Sequence, residues 1–290
     1  MAEENECFTI TFGDVAENNV RMQKIGKMNE RGFRIEELKK SKKIFEGKGY
    51  VCELINLHDA LHEKDCEEAA ILIVRNGIEA LSEKADSFLE ELRACEWDTK
   101  AYMYGRVCNK RARYNLCFSD TSQEPDYENK KGRIVSFDKL PCMKHIREAL
   151  PTSLGPLAKD LQAEGNMYYD ISKCGLGWHG DAERKIVIAL RLGADLPLHY
   201  HWFQRNKPIG DMIKLTLGHG DIYVMSEKAT GNDWRKSKIK TLRHAAGAKK
   251  YIMLKVKKDV VRCSGLTKQN KQCKNKVKKE SGFCHLHKDQ

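Results

Sequence analysis

A histidine and an aspartate two residues apart, followed by a distant histidine, are the residues best suited to chemistry in this chain. His179 and Asp181 lie in the sequence GWHGD, and His244 lies in LRHAAG. Two imidazoles and one carboxylate bind Fe(II) and leave coordination positions open for a cosubstrate and O2. Residues two apart point to the same side of an extended strand. The spacing therefore predicts an iron site whose third ligand, His244, arrives from another strand.

The residues between these ligands predict consecutive β-strands. Short apolar or alternating runs are separated by glycine, proline and asparagine, which indicates a sandwich or jelly roll rather than alternating strands and helices. The predicted strands cover residues 185–192, 198–204, 211–217 and 222–225.

The order of motifs along the chain resembles the AlkB-type Fe(II)/2-oxoglutarate-dependent dioxygenases. In chain order these motifs are Asn166-x-Tyr168-x-Asp170, His179-x-Asp181, Leu192-Gly193, Arg205-Asn206, His219-Gly220-Asp221 and His244. Upstream, residues 104–120 are similar to the nucleotide lid of that family, and residues 140–150 to the helix that follows it. The resemblance covers residues 97–257.

The resemblance implies a double-stranded β-helix, or jelly roll, that holds iron on the two histidines and the aspartate. It also implies that Asn166 and Tyr168 contact 2-oxoglutarate. The strand after the distal histidine should carry arginines for the cosubstrate carboxylates, but residues 249–257 offer only lysines. A lysine can neutralise a carboxylate, although it lacks the bidentate geometry of arginine. We expect Lys255 to take this role, with Lys250 and Lys257 as alternatives.

The resemblance further implies an oxidoreductase that demethylates or hydroxylates a nucleic-acid base. In that family 2-oxoglutarate and O2 are consumed, succinate is formed, and a hydroxylated N-methyl group leaves as formaldehyde. A base in a duplex would first be flipped out of the stack. Two alternatives remain open: a hydroxylase of protein side chains, and a non-catalytic zinc protein that binds nucleic acid.

The C-terminal tail has the composition of a zinc module. Cys263, Cys273, Cys284 and His287 supply three thiolates and an imidazole, which form a closed tetrahedral zinc site. Residues 249–290 contain thirteen Lys and Arg against three Asp and Glu, a net charge of +10. Such a segment can neutralise phosphates, so DNA or RNA is the predicted partner. A solvated tail that only aids solubility is the alternative.

The chain is therefore predicted to be an α+β protein in three parts. Residues 1–85 alternate strands with helices, which predicts a small α/β domain with a largely parallel sheet and no assigned chemistry. Residues 86–258 form the dioxygenase domain, and residues 259–290 the basic zinc tail.

Cysteine use and hydropathy indicate where the protein works. The chain has eleven cysteines, and eight of them are scattered singly through residues 1–248 in apolar surroundings. Such cysteines are expected to be packed, reduced thiols, which predicts an intracellular, reducing compartment, either nucleus or cytoplasm. No apolar run approaches the roughly twenty residues that span a bilayer, so no membrane association is expected.

Overall fold

Short strands make up most of the regular structure. The computed structural model describes residues 5–61, 65–81, 83–254, 260–278 and 281–288. The strands are β1 (Cys7–Gly13), β2 (Val15–Glu17), β3 (Lys24–Gly26), β4 (Cys52–Asn56), β5 (Ala70–Val74), β6 (Lys100–Met103), β7 (Arg106–Asn109), β8 (Tyr114–Ser119), β9 (Ile134–Ser136), β10 (Gln162–Tyr168), β11 (Gly175–His179), β12 (Ile188–Gly193), β13 (Leu198–Gln204), β14 (Lys207–Leu215), β15 (Ile222–Met225), β16 (Thr241–Gly247), β17 (Val260–Arg262) and β18 (Lys276–Lys278). The helices are α1 (Ile35–Gly47), α2 (Gly77–Ala80), α3 (Ala85–Arg93), α4 (Pro141–Leu154), α5 (Glu227–Thr230) and α6 (Lys249–Ile252).

A mixed α+β architecture is confirmed, with most strands in antiparallel sheets. The larger sheet has eight strands in the order β4-β5-β15-β12-β1-β10-β8-β9, and all its neighbours are antiparallel except β8 and β9. The smaller sheet has the order β11-β16-β13-β14 and is fully antiparallel. The strands predicted for residues 198–204 and 222–225 have the predicted bounds.

Helices cover one face of the eight-stranded sheet. Side chains alternate between the two faces of a strand. On β1, Phe8, Ile10 and Phe12 are fully buried in a core that also contains side chains of α1, α3 and α4. The intervening Thr9 and Thr11 are also buried but point to the opposite face. The central strand β1 is therefore enclosed on both sides.

The four-stranded sheet packs against that opposite face. A second apolar core contains Tyr200, Trp202 and Leu242 of the smaller sheet together with Ile71 and Tyr223 of the larger one. The indole nitrogen of Trp202 donates a hydrogen bond to the carbonyl oxygen of Leu57 at 2.7 Å. The larger sheet is thus the middle layer between the helices and the smaller sheet.

The separate parallel-sheet domain predicted for residues 1–85 is not present. Its strands β1, β4 and β5 are antiparallel members of the eight-stranded sheet, and β1 lies between β10 and β12. Residues Met1–Ile252 form one compact unit, and Met253–Gln290 form the other. The elements were predicted from local patterns, whereas both partners of β1, and the partner β15 of β5, lie more than a hundred residues away along the chain.

The strand predicted after His244 is also absent over its described part. Gly247 has a φ of 100°, which a residue with a side chain rarely adopts, and the chain turns there into α6. Residues 255–257 of the predicted strand lie outside the described part of the chain.

The second unit contains the short antiparallel hairpin β17–β18. Across the described residues of both units, no helix is both long and apolar enough to cross a membrane.

Candidate metal centres

The structure brings His179, Asp181 and His244 together. His179 and His244 lie opposite each other on β11 and β16. Asp181 Oδ1 lies 3.6 Å from His179 Nε2 and 3.7 Å from His244 Nε2. Two ligands of one ion with bonds of about 2.1 Å lie about 3.0 to 3.4 Å apart, so a small closure would let all three bind one ion. The donor set of two imidazole nitrogens and one carboxylate therefore fits a divalent transition metal.

The hydrogen bonds of His179 leave the correct nitrogen free for a metal. Its Nδ1 lies 2.8 Å from the carbonyl oxygen of Gly177 and 3.1 Å from that of His244. Carbonyl oxygens only accept hydrogen bonds, so Nδ1 carries the proton and Nε2 keeps its lone pair. A backbone partner of this kind fixes the orientation of metal-binding histidines.

The turn that carries Asp181 is held by the loop after β15. The Asp181 amide donates to the carbonyl oxygen of Thr230 at 2.9 Å. Between the two ligands, a Cβ added to Gly180 would lie 2.1 Å from the Gly231 carbonyl oxygen and 2.8 Å from Trp234 Cδ1. Only glycine fits this close approach. The segment that follows β15 thus belongs to the structure of the candidate centre.

Burial favours the uncharged forms of all three groups. Desolvation lowers the pKa of His179 to about 4 and raises the pKa of Asp181 to about 8. It also lowers the pKa of His244 well below its ordinary value. A bound divalent cation would reverse this preference for Asp181, because it becomes the largest charge in its surroundings.

The three groups open into a cavity between the two sheets. Its volume, including the open mouth, is about 490 Å³, within the range of small-molecule sites. Its polar lining includes Thr9 and Thr11 of β1, Glu164, Asn166 and Tyr168 of β10, Arg184, Arg191 of β12 and Tyr223 of β15.

Arg191 is a buried cation in this cavity without a carboxylate partner. It is 1% exposed, and its Nη1 donates to Thr9 Oγ1 at 2.5 Å and to Cys7 Sγ at 3.4 Å. Its Nε is buried without a hydrogen-bond partner, and no ion pair involves Arg191 among the described residues. The neighbouring Arg184, in contrast, pairs with Glu164 at 2.5 Å. An unpaired buried charge is costly, so an anion in the cavity would stabilise this arginine.

Asn166 and Tyr168 line the cavity, as the resemblance implies. Asn166 pairs with Thr9, and Thr9 pairs with Arg191, so the three residues lie in a row across β10, β1 and β12. Lys250 lies elsewhere: it is exposed on α6, with its Nζ over the Tyr251 ring, and does not line the cavity. Lys255 is outside the described residues.

The four residues predicted to bind zinc form the second candidate centre. His287 Nδ1 lies 3.5 Å from Cys263 Sγ and 3.4 Å from Cys284 Sγ, and the sulfurs of Cys273 and Cys284 are 3.9 Å apart. Tetrahedral zinc with bonds of about 2.3 Å to sulfur and 2.05 Å to nitrogen gives edges of about 3.6 to 3.8 Å. This Cys3His cluster could therefore bind zinc without rearrangement.

Hydrogen bonds reach the sulfurs of this cluster and favour the thiolate form of Cys284. The amides of Gly265 and Cys284 donate to Cys263 Sγ at 3.4 and 3.2 Å. Asn275 donates a hydrogen bond from its backbone N–H to Cys273 Sγ and another from its side-chain Nδ2 to Cys284 Sγ. The side-chain bond from Asn275 contributes most to lowering the pKa of Cys284, to about 6. Thiolate is the form that binds zinc.

One relative was found in comparisons with known proteins. "Uncharacterized protein R156" of Acanthamoeba polyphaga mimivirus is 45% identical over 255 residues, which cover 87% of this chain and 100% of the relative. This chain belongs to the same family as that viral protein. No protein-family model matches the chain. The name of the viral protein states no activity, so the chemistry proposed below rests on the residues of the two candidate centres.

Thr9 and Arg191 are among the cavity residues that sequence reasoning missed. The sequence did contain a signal for Arg191, because it is the one charged residue in the otherwise apolar run 186–192. Charged side chains are almost never fully buried unless they are paired, so an arginine in a buried strand indicates a binding partner. Thr9 gave no such signal. It was assigned to a different domain, and only the pairing of β1 with β12 brings it to Arg191.

Proposed function

We propose that this protein is an Fe(II)/2-oxoglutarate-dependent dioxygenase of the AlkB type. One observation carries the proposal: a set of two histidines and a carboxylate shares a cavity with a buried, unpaired arginine. The first group suits a metal with open coordination positions, and the second suits the carboxylate of an organic acid. A dicarboxylic 2-oxo acid is a ligand that would satisfy both ends of the cavity.

Arg191 replaces the lysines expected from the sequence as the residue for the distal carboxylate. Its guanidinium can form two parallel hydrogen bonds to a carboxylate, which a lysine cannot. Asn166 and Thr9 lie in the same row across the strands as Arg191 and line the same cavity. Tyr168 and Tyr223 complete the walls.

The arrangement of strands supports a double-stranded β-helix. Such a jelly roll has eight strands in two facing sheets. Here β10, β12 and β15 face β11, β13, β14 and β16, which gives seven strands from residues 162–247. The eighth is β1, inserted between β10 and β12. We infer that the N-terminal strand takes the place expected for a strand after His244, which explains why residues 249–252 need not supply an arginine.

Each protein group then has a defined role in the reaction. Iron, when bound, would supply the activation of O2 and the oxidative decarboxylation of 2-oxoglutarate to succinate. His179, Asp181 and His244 would hold the ion beside the cavity, and Arg191 would bind and orient the acid. The apolar core around Tyr200 excludes water from the buried end.

A nucleic-acid base is the proposed substrate, and the hairpin β6–β7 supports it. Residues 100–114 contain five Lys and Arg, three Tyr and no Asp or Glu. At the hairpin tip, Tyr104 is 95% exposed with a φ of 55°, an unfavourable conformation for a bulky residue. The same segment reaches the cavity, because Arg113 Nε donates to Asn166 Oδ1. Exposed aromatic rings among cations suit the stacking of bases and contact with phosphates.

The proposal is tested by calorimetric titration of 2-oxoglutarate into protein loaded with Mn(II), a stand-in for iron that does not turn over. Wild-type protein should bind 2-oxoglutarate only when the metal is present. H244A should lose the metal. R191Q should keep the metal but bind 2-oxoglutarate at least tenfold more weakly, because truncating one partner of a buried charge pair costs about 2–5 kcal/mol.

Two controls make this titration decisive. K250Q removes the lysine expected from the sequence and should bind 2-oxoglutarate like the wild type. Pyruvate lacks the distal carboxylate, so wild-type protein should bind it about as weakly as R191Q binds 2-oxoglutarate. Equal affinity of R191Q and wild type for 2-oxoglutarate would refute the role of Arg191. A failure of the wild-type protein to bind Mn(II) would refute the metal centre.

A further inference from the structure

The hairpin β17–β18 presents cations on the face that points away from the cysteine cluster. Val261 and Val277 pair across the hairpin and pack with Cys263, Cys273 and Cys284. Because side chains alternate along a strand, the neighbouring pair points the other way. That pair is Arg262 and Lys276, and both are exposed, as is Lys274 next to it. We refer to Arg262, Lys274 and Lys276 as the basic face.

The basic face is unfavourable for the isolated hairpin. Like charges directly opposite each other on an antiparallel pair are destabilising. The described residues of the module, 260–278 and 281–288, contain no Asp or Glu, and no ion pair among the described residues involves Arg262, Lys274 or Lys276. A short two-stranded hairpin is marginal by itself. The Cys3His cluster therefore fixes in place a set of repelling charges that nothing within the described module neutralises.

We propose that the basic face binds the phosphate backbone of a nucleic acid. A polyanion removes the repulsion between Arg262 and Lys276, and the release of its counterions favours binding. The side chains stand on a fixed hairpin, with opposed Cα atoms about 5 Å apart, so they can contact adjacent charges of one extended polyanion. The three residues of the basic face are all cationic and none is aromatic, so they offer charge to phosphates and no ring for base stacking. The contact is thus with the backbone and independent of sequence, and it does not depend on the oxygenase proposal.

The test is fluorescence anisotropy of a labelled 20-nucleotide single strand with the zinc-loaded full chain at several salt concentrations. The triple variant R262Q/K274Q/K276Q should bind at least tenfold more weakly at about 100 mM salt. For this variant, the slope of log K against log salt concentration should be smaller in magnitude by about two. Each phosphate contact with a single strand contributes about 0.7 to that slope, and three contacts are removed. The charge-preserving variant R262K/K274R/K276R should bind like the wild type.

A matched control separates a built surface from net charge. K39Q/K40Q/K43Q removes the same charge from exposed positions of α1 and should leave the affinity and the salt slope close to wild type. Equal losses in both triple variants would overturn the proposal, since net charge alone would then explain binding. Unchanged binding by R262Q/K274Q/K276Q at one zinc per chain would overturn it as well. The proposal would also be overturned if R262Q/K274Q/K276Q lost the binding of wild-type protein to phosphatidylserine vesicles but still bound nucleic acid. That result would assign the basic face to a membrane.

Discussion

At the scale of single residues, the candidate centre depends on groups with few alternatives. His179, Asp181 and His244 could be predicted from type and spacing, because a metal requires particular donor atoms. Arg191 could not be assigned to the cavity from the sequence, because its role depends on which face of β12 is enclosed. Gly180 illustrates the same limit: the sequence shows a glycine between two ligands, and only the contact with Gly231 and Trp234 shows why no side chain fits.

Replacing Gly180 by alanine should disrupt the centre. The new methyl group would lie 2.1 Å from the Gly231 carbonyl oxygen, so the turn that carries Asp181 must shift. We expect the free energy of unfolding to fall by about 1–3 kcal/mol, as for other overpacked sites. The affinity for Mn(II) should fall at least tenfold, measured by titration beside urea denaturation. Gly47→Ala, where no atom lies within 4 Å, should leave both quantities unchanged. Tight Mn(II) binding by G180A would contradict this account of the turn.

At the scale of elements, local patterns predicted strands better than they predicted partners. The strands predicted at residues 198–204 and 222–225 appear with the expected bounds. The pairing was wrong, because alternation on β1 identifies an apolar face and a polar face but not what each face meets. Thr9 and Thr11 form the polar face, which in the structure lines a buried cavity instead of solvent. Only the pairing of β1 with β10 and β12 shows that this polar face lines a cavity and does not meet solvent.

The position of β1 predicts that residues 1–85 cannot be removed as a separate domain. A chain that begins at residue 86 would lack the strand between β10 and β12, together with β4 and β5. We expect it to show no cooperative unfolding transition by circular dichroism and no Mn(II) binding. In the full chain, Phe12→Ala should cost about 3–5 kcal/mol, whereas Val20→Ala at an exposed position should cost little. A folded, metal-binding fragment from residue 86 would contradict this interpretation.

At the scale of the whole molecule, two candidate metal centres with different donor atoms lie in two separate units. The first offers two nitrogens and an oxygen, and the second offers three sulfurs and a nitrogen. Thiolates select zinc, whereas imidazole and carboxylate with open positions suit Fe(II). The zinc ligands were predictable because the spacing of cysteines is local. The division of the remaining chain into domains could not be predicted, because it depends on which strands pair in the sheets.

Elemental analysis of purified variants should therefore show that each metal is lost independently of the other. C284S should lose one zinc per chain and keep its capacity for one Fe(II) or Mn(II). H179A should show the converse, because each substitution removes a ligand from only one centre. A fall of both metals in either variant, with the protein still folded by circular dichroism, would contradict two independent centres.

The most direct test of the proposed function is the release of succinate from 2-oxoglutarate by Fe(II)-loaded protein. The assay is run with and without methylated single- and double-stranded DNA and RNA, and with H179A and R191Q as matched variants. We predict that succinate forms in proportion to bound iron, that a methylated oligonucleotide stimulates its release, and that formaldehyde accompanies it. Both variants should lose at least 90% of this activity. No succinate from iron-loaded wild-type protein under any of these conditions would contradict the assignment as a 2-oxoglutarate-dependent dioxygenase.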